Sequence, residues 1–350
     1  MSEQSTFLTA AVSRLFESEL TPVRRTEAEQ SGWCREFWDI ANTLGLPLLL
    51  VDAAAGGFGG DLADACAVAR LAGRHAVPAP SVEDFLGRGL MVEAGMAPPD
   101  GVITLAVSAE LTLENGVAKG DAFAVPWGGM ADHVLVETTD TCEPAQLLLL
   151  SKADAVVRAG HNLAGEPSDD LVFVGANPRV VVRRTGPPLQ DCLATLRASQ
   201  MAGALEAALE LTVEHANQRV QFGKPIGQFQ IVQQQLALMA EEAAAVSSAA
   251  ETLSAIGGSR DAAFEITAAK LRANRAIDVA VPIAHQILGA MGFTAEHGLR
   301  RLTQRLLWWR SECGGDRYWA TRLGTMVVAR GAASLWPDLT SRTDAPQVVL

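Results

Sequence analysis

The sequence predicts a mainly α-helical protein with a small β domain at its centre. Three features carry this prediction. Apolar residues recur at helical spacing through most of residues 5–97, the pattern changes to short β-branched or alternating runs from about 101 to 185, and long alanine-rich helical stretches return from about 188 to 335. At 350 residues the chain exceeds what one compact unit usually needs. We therefore divide it into an N-terminal helical segment 1–100, a β domain 101–187 and a C-terminal helical bundle 188–350.

In the first segment Phe7, Leu8, Ala11, Leu15 and Phe16 follow helical spacing, as do Trp33, Phe37, Trp38, Ala41, Leu44 and Leu46. The run Gly56-Gly57-Phe58-Gly59-Gly60 lacks the Gly-Lys-Ser/Thr ending and the preceding strand of a phosphate cradle. It reads as a loop ahead of a helix over 62–73. In the β domain, 102–107, 111–113, 133–136, 146–150 and 180–182 read as strands. Asn115-Gly116 marks a hairpin, because both residues tolerate positive φ, and Pro126-Trp127-Gly128-Gly129 marks a loop. The domain should be mainly antiparallel.

In the last segment Leu193, Leu196, Met201, Leu205, Leu209 and Leu211 lie on a helix running to about 219. Leu236, Met239, Ala243, Val246, Ala250 and Leu253 form one stripe of a second helix over 231–256. A third spans 262–292, with Pro282 expected to bend it and Gly257-Gly258 separating it from the second.

The hydrophobic fraction of 49% against 19% charged residues is enough to bury a large core and excludes a disordered chain. A net charge of −12 argues against nucleic-acid or anionic-membrane partners, while leaving room for a small anionic ligand at a local positive site. Cys34, Cys66, Cys142, Cys192 and Cys313 are scattered, without zinc spacing, which points to reduced thiols in a cytoplasmic protein and to no metal centre. The acidic, amphipathic N-terminus lacks the pattern of a signal peptide, and no uninterrupted apolar run reaches the roughly 20 residues a spanning helix needs. These features predict a soluble protein.

The most specific stretch is Arg219-Val220-Gln221-Phe222-Gly223-Lys224-Pro225-Ile226-Gly227-Gln228-Phe229-Gln230. It interrupts two long helices, and an arginine at such a junction can grip a phosphate through its planar fork of donors, with Gln221 and Gln230 adding neutral hydrogen bonds. The residues alone leave open a plain helix–helix corner with a solvated Arg219. A second stretch, Gln286-Ile287-Leu288-Gly289-Ala290-Met291-Gly292-Phe293, ends a later helix, where glycines let a ligand approach the backbone.

Together these two stretches resemble the acyl-CoA dehydrogenase family. That family carries an R-x-x-F-G-x-x-(I/L)-x-x-(F/L)-Q corner and a Q-(I/V)-x-G-(G/A)-x-G-(F/Y) turn, and uses both to hold FAD. The segment from Trp38 to Gly60 and the helix–β–helix order fit the same family, so the resemblance covers nearly the whole chain. It implies an N-terminal helical domain, a β-barrel-like middle domain and a C-terminal four-helix bundle. It also implies α,β-desaturation of an acyl-CoA, with an electron-transfer flavoprotein or similar acceptor. By position, Arg219, Gln221, Phe222, Gly223 and Gln230 would contact an FAD bound mainly by a neighbouring subunit. Gln286, Ile287, Gly289, Ala290 and Gly292 would face its adenosine and pyrophosphate end.

The resemblance is uneven. Family members take their base from a carboxylate, yet at the matching offset from Gln286 this chain has Cys313, with Glu312 one residue earlier. Glu312 is the candidate base. Around 190–205 the alternative position offers Cys192, Leu193 and Ala194, with only Asp191 nearby. The Thr-Glu-Pro-x-x-Gly-Ser-Asp-like segment that grips the flavin ring, and the Trp-Ile-Thr/Ser strand after it, are missing. Trp127 is either a ring-stacking residue or a loop tryptophan covering the core. This asymmetry resembles the smaller subunits of actinobacterial α2β2 acyl-CoA dehydrogenases, which act on steroid side-chain thioesters. It implies a heterotetramer, with a homotetramer as the alternative. Three readings follow: a dehydrogenase subunit, a catalytically silent partner completing another chain's FAD site, and an unrelated helical acyl-thioester binding protein.

Overall fold

The predicted helices and strands form in a computed structural model that describes residues 3–138, 146–183, 186–256 and 262–343, and three further strands outside the predicted runs, Val117–Pro126, Ala155–Arg158 and Ser168–Ala176, join the β domain. Cys142 and the Gly257-Gly258 pair lie outside the described residues. Helices α1 (Glu3–Glu19), α2 (Pro22–Ser31), α3 (Arg35–Thr43), α4 (Leu62–Arg74) and α5 (Ser81–Glu93) come first. In α1 the buried face is Leu8, Val12, Leu15 and Phe16, whereas Phe7 is 68% exposed. The glycine cluster at 56–60 is a loop whose tightness serves packing: a Cβ on Gly57 or Gly60 would strike the Val51 or Leu49 carbonyl.

Strands β1 (Ile103–Ala106), β4 (His133–Glu137), β5 (Gln146–Ser151) and β8 (Val180–Arg183) form one sheet in the order β1-β4-β5-β8. Strands β2 (Ala109–Glu114), β3 (Val117–Pro126), β7 (Ser168–Ala176) and β6 (Ala155–Arg158) form a second, in the order β2-β3-β7-β6. Pairing is antiparallel except between β1 and β4, which run parallel. Asn115 and Gly116, at φ 53° and 81°, close the predicted two-residue hairpin. Alternation splits the first sheet's side chains between two cores. Ile103, Leu105, Leu135, Leu147 and Leu149 face the helices, while Ala106, Val134, Val136, Leu148 and Leu150 face the second sheet.

Helices α6 (Leu189–Gln218), α7 (Gln230–Ile256), α8 (Ala263–Leu288), α9 (Gly298–Trp309), α10 (Asp316–Arg330) and α11 (Ala332–Thr343) complete the chain. Met239, Ala243, Val246, Ala250 and Leu253 of α7 are buried as the stripe predicts. Pro282 lies inside α8, which continues past it to Leu288. The stretch Ala263–Phe293 is long and apolar enough to cross a membrane by length and composition, a feature the sequence reading missed. In the fold α8 packs against α6, α7 and α10, and buries Lys270 and Asn274. Helix α4 crosses α6 at close range through glycines: a Cβ on Gly73 would lie 1.9 Å from the Gln200 carbonyl, and one on Gly203 1.9 Å from that of Arg70.

Candidate functional site

The corner between α6 and α7 is a miniature hairpin. Val220–Gln221 pairs with Lys224–Pro225, and Phe222 and Gly223 make the turn at φ 52° and 82°. Phe222 is 93% exposed, so a bulky side chain pays both for left-handed backbone and for contact with water. Its ring meets Phe229 edge-on at 6.2 Å, and Lys224 Nζ lies 4.4 Å from the centroid of Phe229. Arg219 is exposed, and among the described residues it makes no ion pair.

The hairpin lies beside the end of α8. Gln221, Phe222, Ile226, Phe229, Gln286 and Ile287 line one open depression of about 430 Å3, so the two sequence motifs meet at one surface. Gln235 and Ile231 of α7 join the lining, and the sequence reading had not singled them out. Gly289 sits at φ 60° with nothing near its missing Cβ, and it and Ala290 are exposed. Gly292 differs from expectation. It is buried, and a Cβ there would press on Leu288, Leu299 and His285 at 3.1–3.2 Å, so its smallness serves packing. Arg219, Gly223 and Gln230 are exposed at the hairpin and the start of α7, next to the depression's lining residues in sequence. An exposed guanidinium, amide side chains and an apolar floor fit the dinucleotide end of FAD, supplying donors for phosphate and contact area for a base.

The turn between α9 and α10 is built differently. Glu312 is half-buried as a residue, but its side chain is only 7% exposed and faces inward: its carboxylate receives Arg197 Nε at 2.8 Å and Nη2 at 3.0 Å. Arg197, on α6, is also bonded to Glu83 of α5 and to Gln200 Oε1 at 2.5 Å, and lies 5.7 Å from the Trp309 ring centroid. Burial opposes the Arg197 charge, but Glu312 and Glu83 outweigh it and hold the guanidinium protonated. Burial pushes Glu83 upward against the pull of Arg197.

The carbonyls of this turn are tied down as well. Lys270 Nζ donates to Trp309 O at 2.8 Å, Gln190 Nε2 to Cys313 O at 2.9 Å, and Trp319 Nε1 to Gly314 O at 2.8 Å. Desolvation pushes Lys270 down to about 8 and the Cys313 thiol up to about 12, so neither a cysteine base nor a thiolate nucleophile is available. Asp191 is held by Arg322 at 2.5 and 2.6 Å, which removes the alternative carboxylate.

The cavity that Glu312 lines, with Pro126, Trp127, Glu166, Trp308 and Trp309, holds about 10 Å3. That is room for about one water, whereas pockets that enclose ligands run to roughly 300–1,000 Å3. Trp127 is 5% exposed, and its indole donates to Gly32 O at 3.1 Å, which makes it a core-covering tryptophan. Pro126 offers no N–H beside it. This region does not fit a flavin ring. The sequence reading missed Arg197, Glu83, Gln200 and Lys270, because their meeting depends on the packing of α5, α6 and α8.

A family model described as "Acyl-CoA dehydrogenase, C-terminal domain" matches residues 192–314, the span holding both motifs and the inner turn. Acyl-CoA dehydrogenase IpdE2 of Mycobacterium tuberculosis is 28% identical over 81% of this chain and 84% of its own length. Acyl-CoA dehydrogenase FadE34 of the same organism is 29% identical over 89% of this chain, which spans 45% of that longer protein. Among solved structures, a variant of the Tcur3481-Tcur3483 steroid ACAD superposes with a TM-score of 0.85 at 24% identity, covering 95% of this chain and 99% of that one. A chain of the ChsE4-ChsE5 complex from Mycobacterium tuberculosis does so at 0.80 and 22%, covering 93% and 97%. The fold, the paired motifs and these relatives agree in direction: residues 192–314 match the acyl-CoA dehydrogenase C-terminal domain, and the chain as a whole is similar to acyl-CoA dehydrogenases in sequence and fold.

Proposed function

We propose that this chain is the cofactor-completing subunit of an FAD-dependent acyl-CoA dehydrogenase, assembled with a second chain of the same family that supplies the base. The reaction is the α,β-desaturation of an acyl-CoA thioester, for which bound FAD supplies the hydride acceptor. Arg219, Gln221 and Gln286 would hold the dinucleotide end from across the interface, on the open surface where the two motifs meet. The observation that carries this reading is the Glu312–Arg197 pair. A general base must present a free oxygen to the substrate carbon, and here both carboxylate oxygens lie on a guanidinium beside a cavity too small for an acyl chain.

Structural neighbours described as a steroid ACAD and as a two-component complex support a heteromeric assembly acting on a bulky, ring-bearing acyl group; an electron-transfer flavoprotein or similar acceptor would follow from the family resemblance alone. The test is co-purification with the second chain and a flavin count. The chain alone should be colourless, and yellow only with its partner. Within the complex, Glu312→Gln should leave turnover within about threefold. Loss of turnover by the 10²-fold or more expected of a missing base would return the role to Glu312 and sink the proposal.

A further inference from the structure

A second cleft lies on the far side of Glu166, between α2, α9 and the 160–168 loop. Three guanidiniums line it, those of Arg25, Arg301 and Arg305, with Glu29 and Glu166 as the acidic members. Each carboxylate is engaged: Glu29 with Arg301 at 2.7 Å, and Glu166 with Arg305 at 2.7 Å. Asn162 Nδ2 also donates to the other Glu166 oxygen at 3.0 Å. Arg25 is left with main-chain partners. Its Nε donates to Leu20 O at 3.0 Å and its Nη1 to His75 O at 2.9 Å. Among the described residues no carboxylate is bonded to it.

Those two bonds join the ends of α1 and α4, which accounts for an arginine at this position. They do not neutralise it. Burial, then Arg305 and Arg301, push Arg25 down to about 10, against the pull of Glu29. The lining thus carries one more positive than negative charge, on a protein of net charge −12.

We propose that this cleft is a binding site for a phosphate group, free or as a monoester. The negative charge of a phosphate monoanion would balance the surplus, and its several oxygens can accept from donors that converge from α2 and α9, more than a two-oxygen carboxylate would use. The enclosed space of about 20 Å3 is room for about two oxygens of such a group, with its remainder at the open mouth of the cleft, and not for the body of a cofactor. The site is separate from the motif-lined depression at the end of α8, and it does not rest on the proposed FAD role.

The experiment is thermal unfolding of the full chain in inorganic phosphate, with chloride and acetate at matched ionic strength. Saturating phosphate should raise Tm by roughly 2–4 °C over both controls. Arg25→Gln should abolish the phosphate-specific rise. Because Arg25 also ties two helix ends, Arg301→Gln is the second variant and should abolish it too, while Arg35→Gln on α3 should keep it. No rise in wild type, an equal rise in acetate, or a rise retained in Arg301→Gln would each overturn the proposal.

Discussion

Two turns in this molecule use the same backbone device to opposite ends. The corner after α6 places Phe222 and Gly223 at φ 52° and 82°, and the turn after α9 places Cys313 and Gly314 at φ 58° and 104°. In both, a non-glycine residue takes the left-handed conformation ahead of a glycine. The first turn is open, its phenyl ring 93% exposed, while the second is closed, its thiol 5% exposed and its carbonyls bonded from three helices. The open turn has the character of a surface awaiting a neighbour, and the closed one that of a core element. The closure lies at Glu312, the carboxylate that the sequence nominates as a base.

The largest expected effect tests that closure. Arg197→Met leaves Glu83 and Glu312 buried without their cation, and removing one partner of a buried ion pair costs about 3–5 kcal/mol. Urea denaturation of the isolated chain should read a loss of that size. A loss below about 1 kcal/mol would mean that the network does not close the turn.

Next comes a direct contrast between the two glycines. Gly223→Ala meets open space and should cost about 1–2 kcal/mol for the left-handed backbone alone. Gly314→Ala adds a collision, since its Cβ would lie 2.6 Å from Tyr318 Cδ1, and should cost roughly 1–3 kcal/mol more. Equal destabilisation of the two variants would erase the distinction between an open and a closed turn.

The open turn is tested by binding. Arg219→Ala should weaken FAD retention in the assembled complex about 10- to 100-fold, the worth of a hydrogen bond to a charged group, measured as flavin absorbance after dialysis. The stability of the isolated chain should change by less than about 0.5 kcal/mol, because the side chain is exposed and unpaired among the described residues. Unaltered flavin content would detach the corner from the cofactor.

The open turn was legible in the sequence and the closed one was not, for a physical reason. Arg219 to Gln230 is contiguous, so helix ends, glycine and proline declare a corner before any packing is known. Gln286 and Gly289 likewise sit at a helix terminus, where backbone signals are strong. The closed turn depends on Glu83, Arg197, Lys270 and Glu312, which come from four separate stretches. Buried charges look like surface charges in a linear reading, and only the crossing of α5, α6 and α8 brings them together. Gly292 shows the same limit, since a glycine that admits a ligand and one that admits a leucine are alike in sequence. Trp127 was narrowed to two roles, and its bond to Gly32 O selects the packing one.

The smallest effect bears on whether the closed turn is held by charge. Lys270 bonds to Trp309 O and to Asn274 Oδ1, and burial pushes it down to about 8, against about 10.4 in an unfolded chain. Between those values the unfolded state holds more protons than the folded one, so this group makes stability rise with pH across the window. Cys313, pushed up to about 12, works in the opposite direction once pH exceeds about 8.5, because the unfolded thiol ionises first. Comparing wild type with Lys270→Met cancels that contribution, since Cys313 is present in both. The Met variant also leaves the Trp309 carbonyl without its donor, an offset that does not vary with pH. The stability of wild type minus that of the variant should therefore climb from pH 8 to about 10.4 and level off beyond it. A flat difference would mean that the ammonium is as well solvated in the fold as outside it, and that the turn beside Glu312 is less closed than its geometry indicates.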